Sequence, residues 1–335
     1  MSIAAETIRS NGGTQAEFYL HSFELLSGAC ISPLRMPYTI YGKPNTDRSN
    51  IVMILPGTSN TRHGAQGHIG PGRAFDTNRY YVVSVDAIGG GGASQPGDGL
   101  GKDFPPYSVA DMVRAQHALA LHLTGGAPLA AVGGASMGAF QALEWVLRYP
   151  HLVSAAVMLV PAAQAGQLFK ETVRQMRRII ALDPAWENGR YRNNPIAGVR
   201  AAGYHYFPWT VTDHYLESVP PRTLAEDTRA VADNFSTWDA WSLIRRYEAS
   251  SQFDAATDRG NIQTALASIQ ARLLLMPCPQ DRLLGVDSAR LIHRLAPKSD
   301  YVEIESLRGH LAWRPIPDSQ ETRLIWRTVS EWLDG

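Results

Sequence analysis

The sequence predicts an α/β fold, with a mostly parallel sheet covered by helices on both faces and one helical stretch inserted into the alternation. Three observations carry this. Short continuous apolar runs, IVMIL (51–55), YYVVSV (80–85), LAAVGG (129–134) and SAAVMLV (154–160), have the make-up of strands buried on both faces. Two stretches between and after them, SVADMVRAQHALALHL and Met137 to Arg148, place apolar residues at three- and four-residue spacing and read as amphipathic helices. From about Gln164 to Gln263 the alternation stops, and Arg, Trp, Tyr and Asp replace the apolar runs.

Taken in order, the chain opens on a polar tail. EFYLHSFELLSGACISPLRMPYTIYGKP then reads as two strands joined by a turn at Ser27-Gly28. The four apolar runs and two helices follow, the second helix stopping before Pro150. DPAW, NNP and FPWT divide the inserted stretch into short helices. The alternation resumes with ARLLLMPCPQD (271–281), a helix from Val286 to Leu295, a strand DYVEIE (300–305) and a last helix through SEWL. The expected division is a core in two parts, 1–163 and 265–335, with a helical cap at 164–264 lying over a pocket.

Composition narrows the function. Of 335 residues 44% are hydrophobic and 19% charged, with a formal net charge of zero, so nothing invites nucleic acid or an anionic membrane. No run of eighteen apolar residues occurs, and MSIAAETIRSNGGTQ lacks the basic and apolar regions of a signal peptide, so a cytoplasmic setting is expected. Cys30 and Cys278 are too few and too distant for a disulfide framework and are expected as small buried hydrophobes. His205 and His214 make no ligand cluster, so no metal is expected. GGGGASQPGDG has neither G-x-G-x-x-G nor G-K-[ST] and is expected as a flexible loop beside the pocket, with no cofactor.

Chemistry concentrates at GASMG (134–138), a G-x-S-x-G with a strand before it and a helix after it. A serine raised on that sharp turn needs small neighbours, which Gly134, Ala135 and Gly138 supply. The setting predicts an α/β-hydrolase fold with an eight-stranded sheet and Ser136 as nucleophile. A hydroxyl needs a base oriented by an acid, in the chain order Ser, acid, His. His310 follows a strand and a glycine-ended loop and is the expected base, whereas His293 belongs to the amphipathic RLIHRL. Asp281, closing an apolar strand, is the expected acid, with Asp287 as second choice. The backbone N–H groups of Met137 and Thr58 are the expected oxyanion donors.

These residues and their surroundings resemble the homoserine O-acetyltransferase family from Tyr38 to the C-terminus. GGASMGAFQALEWVLRYP is similar to the family's elbow block, RRIIALDPAWENGRY to its cap motif, PQDRLL to its acid motif and Gly309-His310 to its histidine motif. The resemblance implies Ser136, Asp281 and His310 as a triad, places Arg177 in register in the cap, and suggests a homodimer. It departs at the acceptor site. Family members continue G-H-D, where this chain has Leu311, and carry an arginine credited with the substrate carboxylate where this chain has Gly203; Arg200 lies one turn earlier. An amino-acid zwitterion is therefore disfavoured, because charge-assisted anchors contribute roughly 1.5–3 kcal/mol each. The expected function is hydrolysis of an ester, thioester or amide of a small acyl substrate, with Arg177, Arg200, Phe207, Trp209, Trp238, Trp241 and Leu311 as pocket candidates. The alternative is an acyltransferase using acyl-CoA as co-substrate with another acceptor, and a remote third is a non-catalytic binding protein.

Overall fold

The computed structural model describes residues 8–10 and 12–335, so most of the first eleven residues of the polar tail lie outside the described residues. The apolar runs assemble into one sheet. Its strands are β1 (Ile8–Ser10), β2 (Gly13–Leu20), β3 (Leu34–Tyr41), β4 (Ile51–Leu55), β5 (Tyr81–Val85), β6 (Ala131–Ala135), β7 (Ala155–Leu159), β8 (Arg272–Met276) and β9 (Ser299–Tyr301). They lie in the order β1-β2-β3-β5-β4-β6-β7-β8-β9. The eight strands of the expected sheet are present, and β1 adds a ninth at one edge. Pairing is antiparallel from β1 to β5 and parallel from β5 across to β9.

The parallel strands are buried along their length because helices cover both faces: every residue of β4, β6 and β7 is buried. β6 is made of small residues for a packing reason. A Cβ on Gly133 would come within 2.9 Å of the Phe75 ring. The segment read as DYVEIE is shorter as a strand than expected. Its pairing nevertheless runs on, with the Val302 N–H donating to Leu275 O (2.9 Å) and the Ile304 N–H to Pro277 O (2.8 Å). The turn at Ser27-Gly28 closes a two-residue hairpin, Phe23–Glu24 against Cys30–Ile31, between β2 and β3. There Ile31 points inward and Cys30 outward, so Cys30 is exposed while Cys278 is buried.

Flanking the sheet are α1 (Val109–Thr124), α2 (Met137–Arg148), α8 (Ile262–Ala267), α9 (Val286–Leu295) and α10 (Gln320–Asp334). Between β7 and α8 come the inserted helices α3 (Gln167–Ala181), α4 (Ile196–Thr210), α5 (Asp213–Ser218), α6 (Pro221–Ser236) and α7 (Ala240–Ser251). Ser108 and Asp111 form a reciprocal capping box that starts α1, and Gly125 in the left-handed region ends it. Asp183 of the DPAW segment accepts from the Ala185 N–H (2.9 Å) and the Gly198 N–H (2.8 Å), tying the end of α3 to α4.

A buried polar chain links these helices to the loop after β4. The Trp145 indole donates to Gln116 (3.0 Å), the Gln116 amide to Gln141 (2.6 Å), and the Gln141 amide to Pro56 O (2.8 Å) and Met137 O (3.1 Å). All three side chains are fully buried, so every group unpaired by a mutation is unpaired away from water. Gln141→Leu strands the Pro56 carbonyl and the Gln116 amide, at roughly 1–3 kcal/mol per unsatisfied group. The expected outcome is a clearly lowered thermal unfolding midpoint; an unchanged midpoint contradicts this account of the chain.

Candidate active site

The turn between β6 and α2 positions Ser136. Its backbone takes φ 57° and ψ −119°, a conformation rare for a residue with a side chain. It is held by the Ser136 N–H donating to Leu159 O (3.1 Å) and by the Phe140 N–H donating to Ser136 O (3.0 Å), which opens α2. The flanking glycines are forced by contact: a Cβ on Gly134 would lie 2.6 Å from the Gly138 carbonyl carbon, and one on Gly138 would run into Leu55 O.

The Ser136 Oγ lies 2.8 Å from His310 Nε2, and His310 Nδ1 lies 2.8 Å from Asp281 Oδ2. A carboxylate only accepts, so the Nδ1–H donates to Asp281 and the Nε2 lone pair faces the serine hydroxyl. The second oxygen of Asp281 accepts from the N–H groups of Leu283 (2.9 Å) and Leu284 (3.2 Å), which fixes the carboxylate. His310 and Asp281 are both buried. Asp287, the second choice as acid, lies on α9 and pairs with Arg290 at 3.3 Å. His293 is exposed on the same helix and bonds Ser299.

The first-turn N–H of Met137 has no acceptor within its helix, as at any helix N-terminus, and opens beside Ser136. Thr58 is buried in the loop after β4, with its hydroxyl 3.3 Å from that of Ser250.

One residue holding this loop was not foreseen. Arg246, on α7 and fully buried, donates to the carbonyls of Ala87 (2.7 Å), Ile88 (3.3 Å), Gly57 (3.2 Å) and Asn60 (3.2 Å). One guanidinium thus clamps the loops after β4 and β5 beneath the inserted helices. Burial pushes its pKa down. The only sign in the sequence was an arginine at a core-facing position of AWSLIRRYEASS. The same clamp corrects the reading of GGGGAS as a flexible loop. Gly89 packs under Tyr107, Gly90 under Trp238, and Gly92 donates to Asp86 (2.9 Å), so this segment is packed between core and insertion.

The pocket candidates part company. Phe207 and Leu311 line a cavity of about 210 Å³ beside the His310 turn. Trp209 is partly buried and stacks with Arg282. Trp238 packs on Arg246, and Trp241 donates to Gly189 O (2.7 Å) and stacks on Trp186, which makes it part of the insertion's own core. Arg177 pairs with Glu248 (2.7 Å) and Arg200 with Asp233 (2.6 Å), both on exposed surface, and neither lines that cavity. No arginine fits at position 203, because a Cβ there would lie 2.6 Å from the Ala232 Cα where α4 crosses α6.

A family profile described as alpha/beta hydrolase fold matches residues 50–306. The homoserine O-acetyltransferase of Leptospira meyeri is 30% identical, over 94% of this chain and 93% of its own length. Among solved structures, the acetyl esterase MekB superposes with a TM-score of 0.90 at 25% identity, covering 97% of this chain and 98% of that one. The homoserine O-acetyltransferase from Bacillus anthracis superposes with a TM-score of 0.85 at 26% identity, covering 97% and 99%.

The turn that carries His310 is itself anchored by a second histidine. His68, almost wholly buried, places Nε2 2.7 Å from Trp313 O and accepts the Trp326 indole N–H at Nδ1 (3.1 Å). Burial pushes its pKa down to about 4, so it is held neutral with its proton on Nε2. The unfolded imidazole takes up a proton near pH 6.5 and the folded one only near 4. Stability from this site is therefore whole above pH 6.5 and falls through the window from 6.5 to 4, by about 3 kcal/mol in all. His68→Gln is expected to flatten unfolding free energy against pH in that window, as read by urea titrations; an unaltered slope contradicts the assignment.

Proposed function

We propose, for a chain that belongs to the homoserine O-acetyltransferase family of the α/β-hydrolase superfamily, that it is a serine esterase working through an acyl-serine intermediate. The observation that carries the reading is the continuous hydrogen-bonded line Ser136–His310–Asp281 at a strained strand-to-helix turn. In this reading the Ser136 Oγ attacks the ester carbonyl while its proton passes to His310 Nε2, and Asp281 stabilises the imidazolium that forms. The tetrahedral oxyanion turns to the N–H groups of Met137 and Thr58, where the N-terminus of α2 adds a favourable field. The alcohol leaves with the proton from His310. Water, deprotonated by the same nitrogen, then releases the acid and restores the serine hydroxyl.

Water is preferred as the acceptor because this chain has no charged anchors for an amino-acid acceptor at the two family positions. Leu311 offers no partner to an ammonium, and the α4–α6 crossing bars an arginine at 203. The inserted helices act in this reading as a cap, with Arg246 fixing the oxyanion loop beneath it.

A second reading, acyl transfer from acyl-CoA to an acceptor other than homoserine, is favoured by the 30% identity to the Leptospira acetyltransferase. The two share the acyl-enzyme and differ in its fate. Ser136→Ala is expected to lower 4-nitrophenyl acetate hydrolysis at least about 10³-fold, since removing a triad member costs that order or more. Retained turnover in that variant contradicts the nucleophile. Single-turnover chase of enzyme acylated from labelled acetyl-CoA separates the readings. Hydrolysis that is not outrun by a panel of alcohols and amines supports the esterase; transfer faster by orders of magnitude supports the acyltransferase.

A further inference from the structure

Resting on the acyl-serine reading, we infer that the substrate carries a carboxylate and that Arg314, with Arg308, receives it in the cavity beside the His310 turn. The cavity, about 210 Å³, is walled by Phe207, Val211, Tyr215 and Leu311 as well as the two arginines. It begins one residue from the base. Leu311 directly follows His310, and Arg314 caps the end of the same 3₁₀ turn, little more than one turn beyond the base.

Arg314 differs from the paired arginines of the insertion and its surroundings. Arg177, Arg200 and Arg282 have carboxylate partners, and both terminal nitrogens of Arg246 donate to carbonyls. The Arg314 side chain is partly buried, desolvation lowers its pKa, and its guanidinium has no hydrogen bond or ion pair to any protein group among the described residues. The groups facing it are phenols, Tyr206 and Tyr247, which burial keeps protonated; the Tyr247 hydroxyl in turn lies 3.4 Å from Ser59 Oγ, next to Thr58. One carboxylate, Asp227, is on the cavity wall. It accepts the Tyr215 hydroxyl and is beyond ion-pair distance of both Arg308 and Arg314. The one acid on the cavity wall is thus already engaged, and Glu321, near Arg308, already accepts the Ser306 hydroxyl (2.6 Å).

A partly desolvated cation without a protein anion is favourably placed to take one from a ligand. The planar fork of arginine matches a carboxylate. Asp227 on the wall weighs against a dianionic phosphate, and the volume, below that of drug-sized sites, suits a short acid. The charges lost at 203 and 311 are thus replaced by a cation on the other side of Leu311, for a different substrate.

The test compares kcat/KM on two matched pairs of esters. One pair carries the charge on the acyl side, 4-nitrophenyl hydrogen adipate against 4-nitrophenyl hexanoate. The other carries it on the alcohol side, 4-acetoxybenzoate against 4-acetoxybenzamide. The expected result is that the charged member of one pair is favoured at least tenfold, mainly through KM; which pair shows it tells where the carboxylate lies. Arg314→Met is expected to cut that charged-to-neutral ratio at least tenfold, and Arg314→Lys to restore part of it. If Arg314→Met fails to fold, Arg314→Lys and Arg308→Met read the same ratio, each lowering it. A ratio at or below one in both pairs, or one indifferent to these substitutions, overturns the proposal. Turnover of all four esters that survives Ser136→Ala overturns the acyl-serine reading beneath it, a failure distinct from loss of charge preference alone.

Discussion

The site depends on a single backbone constraint, the left-handed turn at Ser136. Holding a side-chain-bearing residue at φ 57° costs on the order of 1–3 kcal/mol, and the surrounding fold has to hold it there. Close passage of β6 against α2 does so, since the two glycines let the strand and helix backbones meet, and the Leu159 carbonyl takes the Ser136 N–H. The same turn lifts the hydroxyl off the sheet edge and aims it at His310. It also leaves the first N–H of α2 open beside it. Strain, the placement of the proposed nucleophile and the proposed oxyanion donor all come from one bend of the chain.

Around that bend the molecule is fastened in layers. The Trp145–Gln116–Gln141 chain ties α1 and α2 to Pro56, just before the loop that carries Thr58. Arg246 grips the same loop from the insertion side, and His68 holds the far end of the His310 turn through Trp313. Each fastening is a buried polar group whose partners are main-chain carbonyls or other buried side chains. Such contacts are specific because leaving them unmade in a dry interior is unfavourable.

The strands and the Ser136 turn were legible because their physics is local. Continuous apolar runs mark buried parallel strands, and glycines at 134 and 138 mark a close backbone approach. Asp281 and His310 were legible from position, each in the segment that follows a strand. What escaped were contacts between distant segments. Arg246 falls at a core-facing position of AWSLIRRYEASS, yet nothing there says which distant carbonyls it reaches. Arg177 and Arg200 read as pocket candidates, and only their partners Glu248 and Asp233 disclose where they point. GGGGAS read as flexible because its glycines allow many conformations, while Trp238, Tyr107 and Arg246 remove that freedom from outside the segment. Arg314 was invisible for the same reason: its significance lies in the partners it lacks.

The central claim is that Ser136 becomes acylated. The most direct measurement is peptide mass mapping after rapid acid quench of enzyme mixed with 4-nitrophenyl acetate, run beside fluorophosphonate labelling. The account predicts one acetyl group, or one phosphonyl group, on the peptide containing GGASMG, localised to Ser136. An adduct confined to another residue, or turnover with no covalent adduct by either reagent, would contradict it.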